Sequence, residues 1–217
     1  MVTLKKLATG VAGVALALGV SAASASVIDF TRASTGTTGS ILGGSVTWTM
    51  TANGVLNNSQ AFDGLTTPVG SPLSFQTDGY GVGANDDEVT TVPGKPQEVI
   101  TLTFSQATLI DAIYFLDLFV SGAGSHETGV ATFDGTTSVQ LVATDLVHTG
   151  SGYVAATFAP ILATVVQFTV LASNDAHGYA DGALAGVGIA PVPVPAAGLL
   201  LAGGLGGLAA LRRRKKA

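Results

Sequence analysis

The residues best suited to chemistry form an acidic run, Asn85-Asp86-Asp87-Glu88, between a glycine-rich segment and a predicted strand. Calcium takes six to eight oxygen ligands, and loops of a β sandwich can supply them from carboxylates, amides and backbone carbonyls. The spacing is not that of an EF-hand, and in an extended chain only Asp86 and Glu88 point to the same side. Two interpretations stay open: a calcium site, or a solvated acidic loop.

A second polar group precedes the last apolar segment and consists of Asn174, Asp175, His177 and Asp181. Asp175 or Asp181 could complete a metal site with the acidic run, or could hydrogen-bond to a sugar. The alternative is that these residues satisfy local backbone groups in turns. The metal hypothesis is therefore a structural calcium ion bound by Asp86, Glu88, Asp175 and Asp181, and no other cofactor is expected.

The sequence contains no motif typical of an enzyme. It has no cysteine, which excludes thiol catalysis, and it lacks Gly-x-Ser-x-Gly, His-Glu-x-x-His and a phosphate-binding loop. We therefore predict that the protein is not an enzyme. The alternative is a secreted glycan hydrolase, which needs only two carboxylates about 5 to 10 Å apart. Glu98 and Glu127 are the residues to test for that activity.

The elements that position these residues are predicted to be β-strands. Residues 45–52 alternate, with Val46, Trp48 and Met50 on one face and threonines between them, and residues 98–104 alternate in the same way. Further apolar segments, closed by Gly, Asp, Asn or Pro, are residues 109–120, 130–133, 139–146, 153–158, 165–172 and 183–189. About nine or ten strands at this spacing predict an all-β fold, a single antiparallel, jelly-roll-like β sandwich over residues 26–190.

The charges are segregated along the chain. All 14 acidic residues lie within residues 26–190, where the only basic residues are Arg32 and Lys95. Such a body repels polyanions, so neither nucleic acid nor anionic lipid is expected to bind it. Cations are the more suitable partners.

The N-terminal 25 residues have the three zones of a secretory signal peptide. Lys5 and Lys6 precede the apolar stretch 7–20, and small residues around Ala23 and Ala25 form a cleavage site, so the mature chain is predicted to begin at Ser26. The expected partners are the Sec translocon and signal peptidase. An uncleaved N-terminal anchor is the alternative.

Residues 191–217 contain three elements in fixed order: a proline-valine repeat, an uncharged apolar run and a basic cluster. The 17 residues 195–211 carry no charge and as a helix would span about 25 Å, near the lower limit for crossing a bilayer. We predict a transmembrane helix here. The basic cluster stops transfer and favours the cytoplasmic side; it consists of Arg212, Arg213, Arg214, Lys215 and Lys216.

This tail resembles the sorting tails of exosortase substrates, in particular the VPLPA variety of the PEP-CTERM class of Gram-negative bacteria. The matching motif is Val192-Pro193-Val194-Pro195-Ala196, in which Val194 replaces the family's leucine. The resemblance implies that an exosortase-type membrane transpeptidase cuts near Pro195 and Ala196. An inner-membrane-anchored intermediate would then be passed to the cell surface or extracellular matrix.

The body also resembles the β-rich middle regions of PEP-CTERM proteins, at residues 79–83, 86–89, 98–104, 127–130 and 183–187. Those regions are similar to the jelly rolls of carbohydrate-binding modules. We therefore expect an exported protein whose non-catalytic β domain serves adhesion, matrix structure or polysaccharide binding. A permanently tail-anchored periplasmic protein is the further alternative.

Overall fold

The computed structural model describes residues 25–121, 124–147, 149–171, 179–191 and 204–205. The β domain lies in one compact unit, Ser24–Pro193. Of the second unit, Met1–Ala23 with Val194–Ala217, only Gly204 and Leu205 are described, and both are helical. Apart from Ala25 and these two residues, the predicted signal peptide and transmembrane helix lie outside the described residues. Within the described ranges, no helix is long and apolar enough to span a membrane.

The described part of the domain is built from twelve strands. They are β1 (Ser26–Asp29), β2 (Thr38–Ile41), β3 (Val46–Ala52), β4 (Leu56–Asn57), β5 (Gly81–Val82), β6 (Ile100–Leu116), β7 (Phe119–Val120), β8 (Thr128–Phe133), β9 (Thr137–Val142), β10 (Asp145–Leu146), β11 (Val154–Leu171) and β12 (Ala183–Ile189). A single 3₁₀ turn, Leu42–Gly44, joins β2 to β3.

Eight of these strands form one antiparallel sheet. Its order is β1-β12-β6-β11-β8-β9, with β3 also paired to β6 and β2 paired to β3. The remaining strands form two small pairs, an antiparallel β4-β5 and a parallel β7-β10.

Two long strands, β6 and β11, bend the sheet onto itself. The first part of β6 pairs with β3, and its last part, from Ile110, pairs with β12. The pairing of β11 with β6 shifts register between Thr157 and Ile161 and again between Ala163 and Val165. Pro160 lies in the first irregularity, where its missing N–H breaks no ladder hydrogen bond. Each long strand therefore contributes to two layers of the fold.

The two layers enclose one hydrophobic core. Phe115, in the last part of β6, packs edge-on against Phe168 of β11 with ring centroids 6.4 Å apart. Phe30, just after β1, lies 5.6 Å from Trp48 of β3. All four side chains belong to the same buried cluster. The prediction of an all-β antiparallel sandwich is confirmed.

A long irregular segment between β4 and β5, residues 58–80, covers the outer face of β12 and is here called the outer segment. This cover contributes to the burial of β12, which is buried at every residue. Leu73 of the outer segment packs with Tyr114, Ala183 and Ala185 in a second apolar cluster, and Phe62 and Phe75 pack against it. The outer segment is thereby held beside the end of β6.

The sequence divided both long strands too finely. Residues 98–104 and 109–120 were predicted as separate strands, yet β6 continues through the exposed residues 105–107. Residues 153–158 and 165–172 were likewise separated by Pro160 but belong to β11. β2 was not predicted, because its sequence TGSI lacks an apolar alternation.

Candidate metal centre

Asp117 follows β6 directly and is turned inward by its backbone. Its φ of 58° is in the left-handed region, and Gly152, with φ of 60°, packs against it so closely that a Cβ there would lie 2.7 Å from the Asp117 Cα. The Leu118 N–H donates to the Gly152 carbonyl over 3.1 Å. The Asp117 residue is 8% exposed.

The outer segment brings two further aspartates to Asp117. A β-bridge between Ala61 and Thr77 aligns the two arms of the segment, so Asp63 and Asp78 lie together, and the Asp63 N–H donates to Asp78 Oδ1 over 3.4 Å. One carboxylate oxygen from each of Asp63, Asp78 and Asp117 lies within 4.8 Å of the others. We call these three residues the carboxylate triad. Asp78 is buried, whereas Asp63 is exposed.

Asp87 lies beside the triad and is 3% exposed. Its Oδ1 accepts a hydrogen bond of 2.8 Å from Gln60 Nε2. Its Oδ2 is buried and has no hydrogen-bond partner. The backbone of Asp87 runs directly over Gly81, where a Cβ would lie 1.9 Å from the Asp87 carbonyl carbon. Glycine at position 81 is therefore required for this close passage of two chain segments.

Burial and the repulsion between neighbouring carboxylates raise the pKa values of Asp78, Asp87 and Asp117. Burial, and then the charges of Asp78, Asp63 and Asp87, raise the pKa of Asp117 to about 8. Burial, and then Asp63 and Asp87, raise the pKa of Asp78 to about 7. The pKa of Asp87 is also raised, chiefly by burial. Each carboxylate thus destabilises the ionised form of its neighbours.

The acidic run joins the triad through the same electrostatic coupling. Burial, and then Asp181 and Asp117, raise the pKa of Glu88 to about 9. Burial likewise raises the pKa of Glu127 to about 8, although the Phe119 N–H, which donates to Glu127 Oε2 over 2.7 Å, lowers it. The charge of Asp86 also acts on Glu88.

No basic side chain accompanies this network in the part of the chain that the structure describes. Arg32 lies 3.8 Å from Asp29 and forms an ion pair there, and Lys95 is exposed. A cleft of about 270 Å³ opens onto two members of the triad, and its lining residues include Asp63, Glu88, Asp117 and Phe119. Chemically, the arrangement can bind a hard cation or share protons among its carboxyl groups.

The structure places three of the four residues of the metal hypothesis in this network. Asp86 is half-buried, and its Oδ1 accepts from the Glu88 N–H over 3.1 Å. Glu88 lines the cleft. Asp181 acts electrostatically on both Glu88 and Asp117. Asp175 lies outside the described residues, so its part in the hypothesis stays a prediction.

Sequence reasoning missed the triad itself. Asp117 carried a signal, since it interrupts a long apolar run, but Asp63 and Asp78 lie in a segment without regular pattern. Glu98 and Glu127, the residues to test for a hydrolase, each accept a backbone hydrogen bond of 2.7 Å, from the Thr90 N–H and the Phe119 N–H respectively.

The histidines contribute nothing to the network among the described residues. The Nδ1 of His126 lies 2.8 Å from the Ala143 carbonyl oxygen. His148 and His177 lie outside the described ranges.

No protein-family model and no curated protein matches this chain. Among solved structures, it is similar to the module CpGH89CBM32-5 from Clostridium perfringens, solved in complex with GalNAc-β-1,3-galactose, at 16% identity and a TM-score of 0.33. The match covers 65% of this chain and 95% of that module. It is also similar to CpGH89CBM32-6 produced by Clostridium perfringens, at 15% identity and a TM-score of 0.27, over 48% of this chain and 76% of that module. GalNAc-β-1,3-galactose is the ligand in the structure of CpGH89CBM32-5.

Proposed function

We propose that this chain is an exported protein that an exosortase-type transpeptidase delivers to the cell surface or extracellular matrix of a Gram-negative bacterium. Signal peptidase removes residues 1–25 after Sec export. The transpeptidase then recognises the motif Val192-Pro193-Val194-Pro195-Ala196 and separates the domain from its basic, membrane-inserted tail. The released β domain acts without catalysis in adhesion or matrix structure, with polysaccharide as its ligand.

The observation that carries this proposal is the position of the two ends of the sheet. Ser26 of β1 pairs with Ile189 of β12, so the first residue of β1 lies beside the last residue of β12. The predicted signal cleavage directly precedes Ser26, and the sorting motif begins three residues after Ile189. Both processing points therefore fall just outside the hydrogen-bonded sheet, and cleavage at either leaves every ladder of the domain intact.

The acidic network favours a structural role over hydrolysis. A glycosidase requires two carboxyl groups that flank the bond it cleaves, one of them protonated and the other ionised. Here a third carboxyl group, Asp78, lies within the same 4.8 Å as Asp63 and Asp117. That crowding suits a shared proton or cation better than a sugar ring placed between two carboxyl groups. A hydrolase would be revealed if the purified chain shortened the host polymer and Glu98→Gln, Glu127→Gln or Asp117→Asn stopped the reaction.

The sorting step is tested by substitution in the native host. We expect the double variant Pro193→Ala with Pro195→Ala to accumulate in the inner membrane, because the motif loses both of its rigid residues. Pro191→Ala, which lies outside the five-residue motif, is the matched control and should reach the surface like the unchanged chain. Normal surface delivery of the double variant would contradict recognition of this motif.

Polysaccharide binding has its own test. The form recovered from the cell surface should be retained on the host's extracellular polymer immobilised on a matrix, and soluble polymer should release it. A protein that passes through without delay, with and without calcium, would leave adhesion and matrix structure as the function.

A further inference from the structure

We propose that Asp63, Asp78 and Asp117, with Asp87 beside them, form a calcium site that fastens the outer segment to the end of β6. This site differs from the one predicted from sequence, which lacked all four residues. It does not depend on the proposed function.

The geometry gathers the ligands from separate parts of the chain. Asp63 and Asp78 belong to the two arms of the outer segment, and Asp117 directly follows the long central strand β6. One oxygen from each lies within 4.8 Å of the others. An ion at the centre of such a group would reach all three carboxylates at the 2.3–2.6 Å typical of calcium with small adjustments of side-chain torsions. The cleft beside the triad provides an entry path.

Asp87 supplies an independent reason to expect a ligand here. Its residue is 3% exposed, and its Oδ2 is fully buried without a hydrogen-bond partner. Its charge acts on both Asp78 and Asp117, so its carboxylate lies close to the triad. A buried carboxylate oxygen without a partner is costly. A cation between Asp87 and the triad would neutralise this oxygen and the repulsion among its neighbours.

The ligand chemistry selects the ion. All four side chains offer only carboxylate oxygen, which suits hard cations and not the transition metals that prefer nitrogen or sulfur. Magnesium requires near-ideal octahedral geometry and retains several waters, whereas calcium accepts six to eight oxygens in irregular arrangements. Three carboxylates that lie together, with a fourth close by, match calcium. The titration should cover dissociation constants of about 0.1–1 mM, the range of calcium sites in extracellular modules.

The test uses the full chain purified in a non-ionic detergent, and calcium chloride alone is the probe. The buried Trp48 is the chain's only tryptophan and reports thermal unfolding through its fluorescence. Calcium at about 100 times its dissociation constant should raise the Tm by roughly 5–10 °C over the value in EDTA. Magnesium at the same concentration should give a much smaller shift.

Asp117→Asn separates cation binding from a merely structural role. With EDTA present, this variant should be at least as stable as the unchanged chain, because asparagine has nearly the same shape and replaces a carboxyl group whose ionised form is disfavoured by burial and by its neighbours. With calcium present, the variant should be less stable than the unchanged chain. It lacks one calcium ligand, and its affinity for calcium should be at least tenfold lower. Asp63→Asn should also lose the calcium response. Because Asp63 is exposed, this variant tests the site even if Asp117→Asn fails to fold. Asp111→Asn, which removes an acid outside the network, should respond like the unchanged chain.

Three results would overturn the proposal. The first is an identical Tm in EDTA and in calcium, with no calcium retained in equilibrium dialysis. The second is a variant Asp117→Asn that is less stable in EDTA yet keeps the full calcium response, as a hydrogen-bonding role would produce. The third is an equal response to magnesium, which would refute the choice of calcium.

Discussion

Replacement of Gly152 by alanine should destabilise the domain through two separable effects. The φ of 60° at this position costs a non-glycine residue about 1 kcal/mol. In addition, the new Cβ would lie 2.7 Å from both the Asp117 Cα and the Leu118 nitrogen, so the backbone that holds Asp117 must move. Overpacking of this kind costs about 1–3 kcal/mol. The expected total is a loss of about 2–4 kcal/mol in the free energy of unfolding.

Gly135→Ala is the matched control for this prediction. Gly135 has nearly the same φ, 69°, but no atom lies within 4 Å of its added Cβ. It should therefore lose only the conformational part, about 1 kcal/mol. Urea unfolding followed by Trp48 fluorescence in EDTA measures both variants. Equal losses for the two variants would show that Gly152 does not pack against the Asp117 backbone as described.

Two further predictions concern pH and the core. In EDTA, stability should fall as pH rises from about 4 to about 8, because the folded protein holds protons on Asp78 and Asp117 that the unfolded chain releases. Each proton held only by the folded state contributes about 1.4 kcal/mol per pH unit, so two give a slope of at most about 2.7 kcal/mol per pH unit, and a urea midpoint that rises with pH would contradict it. Phe115→Ala should cost about 3–5 kcal/mol, because the ring is fully buried between the layers. Phe75→Ala, a half-buried ring in the outer segment, should cost clearly less in the same urea assay, and equal costs would refute the two-layer core.

The fold was largely accessible from the sequence wherever a strand has one buried and one solvent-facing side. In β3, Val46, Trp48 and Met50 are buried and the threonines between them are exposed, as the alternation predicted. The lengths of β6 and β11 were not accessible. Both strands change the layer to which they contribute midway, so their apolar pattern breaks at residues 105–107 and at Pro160 although the hydrogen-bonded strand continues.

The candidate metal centre was accessible only in part. The acidic run could be seen because its members are consecutive, and Glu88 does line the cleft. The meeting of Asp63 and Asp78 with Asp117 depends on how the outer segment folds over β12. That packing is decided by scattered apolar residues such as Phe62 and Leu73. Periodicity gives no information about such long-range contacts, so a lone Asp117 at the end of an apolar run was the only local signal.

We propose above all that the domain is cut from its C-terminal tail and delivered beyond the inner membrane. The most direct test of this proposal is the intact mass, with the C-terminal peptide, of the protein recovered from the surface or culture medium of its native host. We expect a chain that begins at Ser26 and ends near Pro195 or Ala196. A membrane-bound chain that still carries Arg212 to Ala217 would contradict it and would make the tail a permanent anchor.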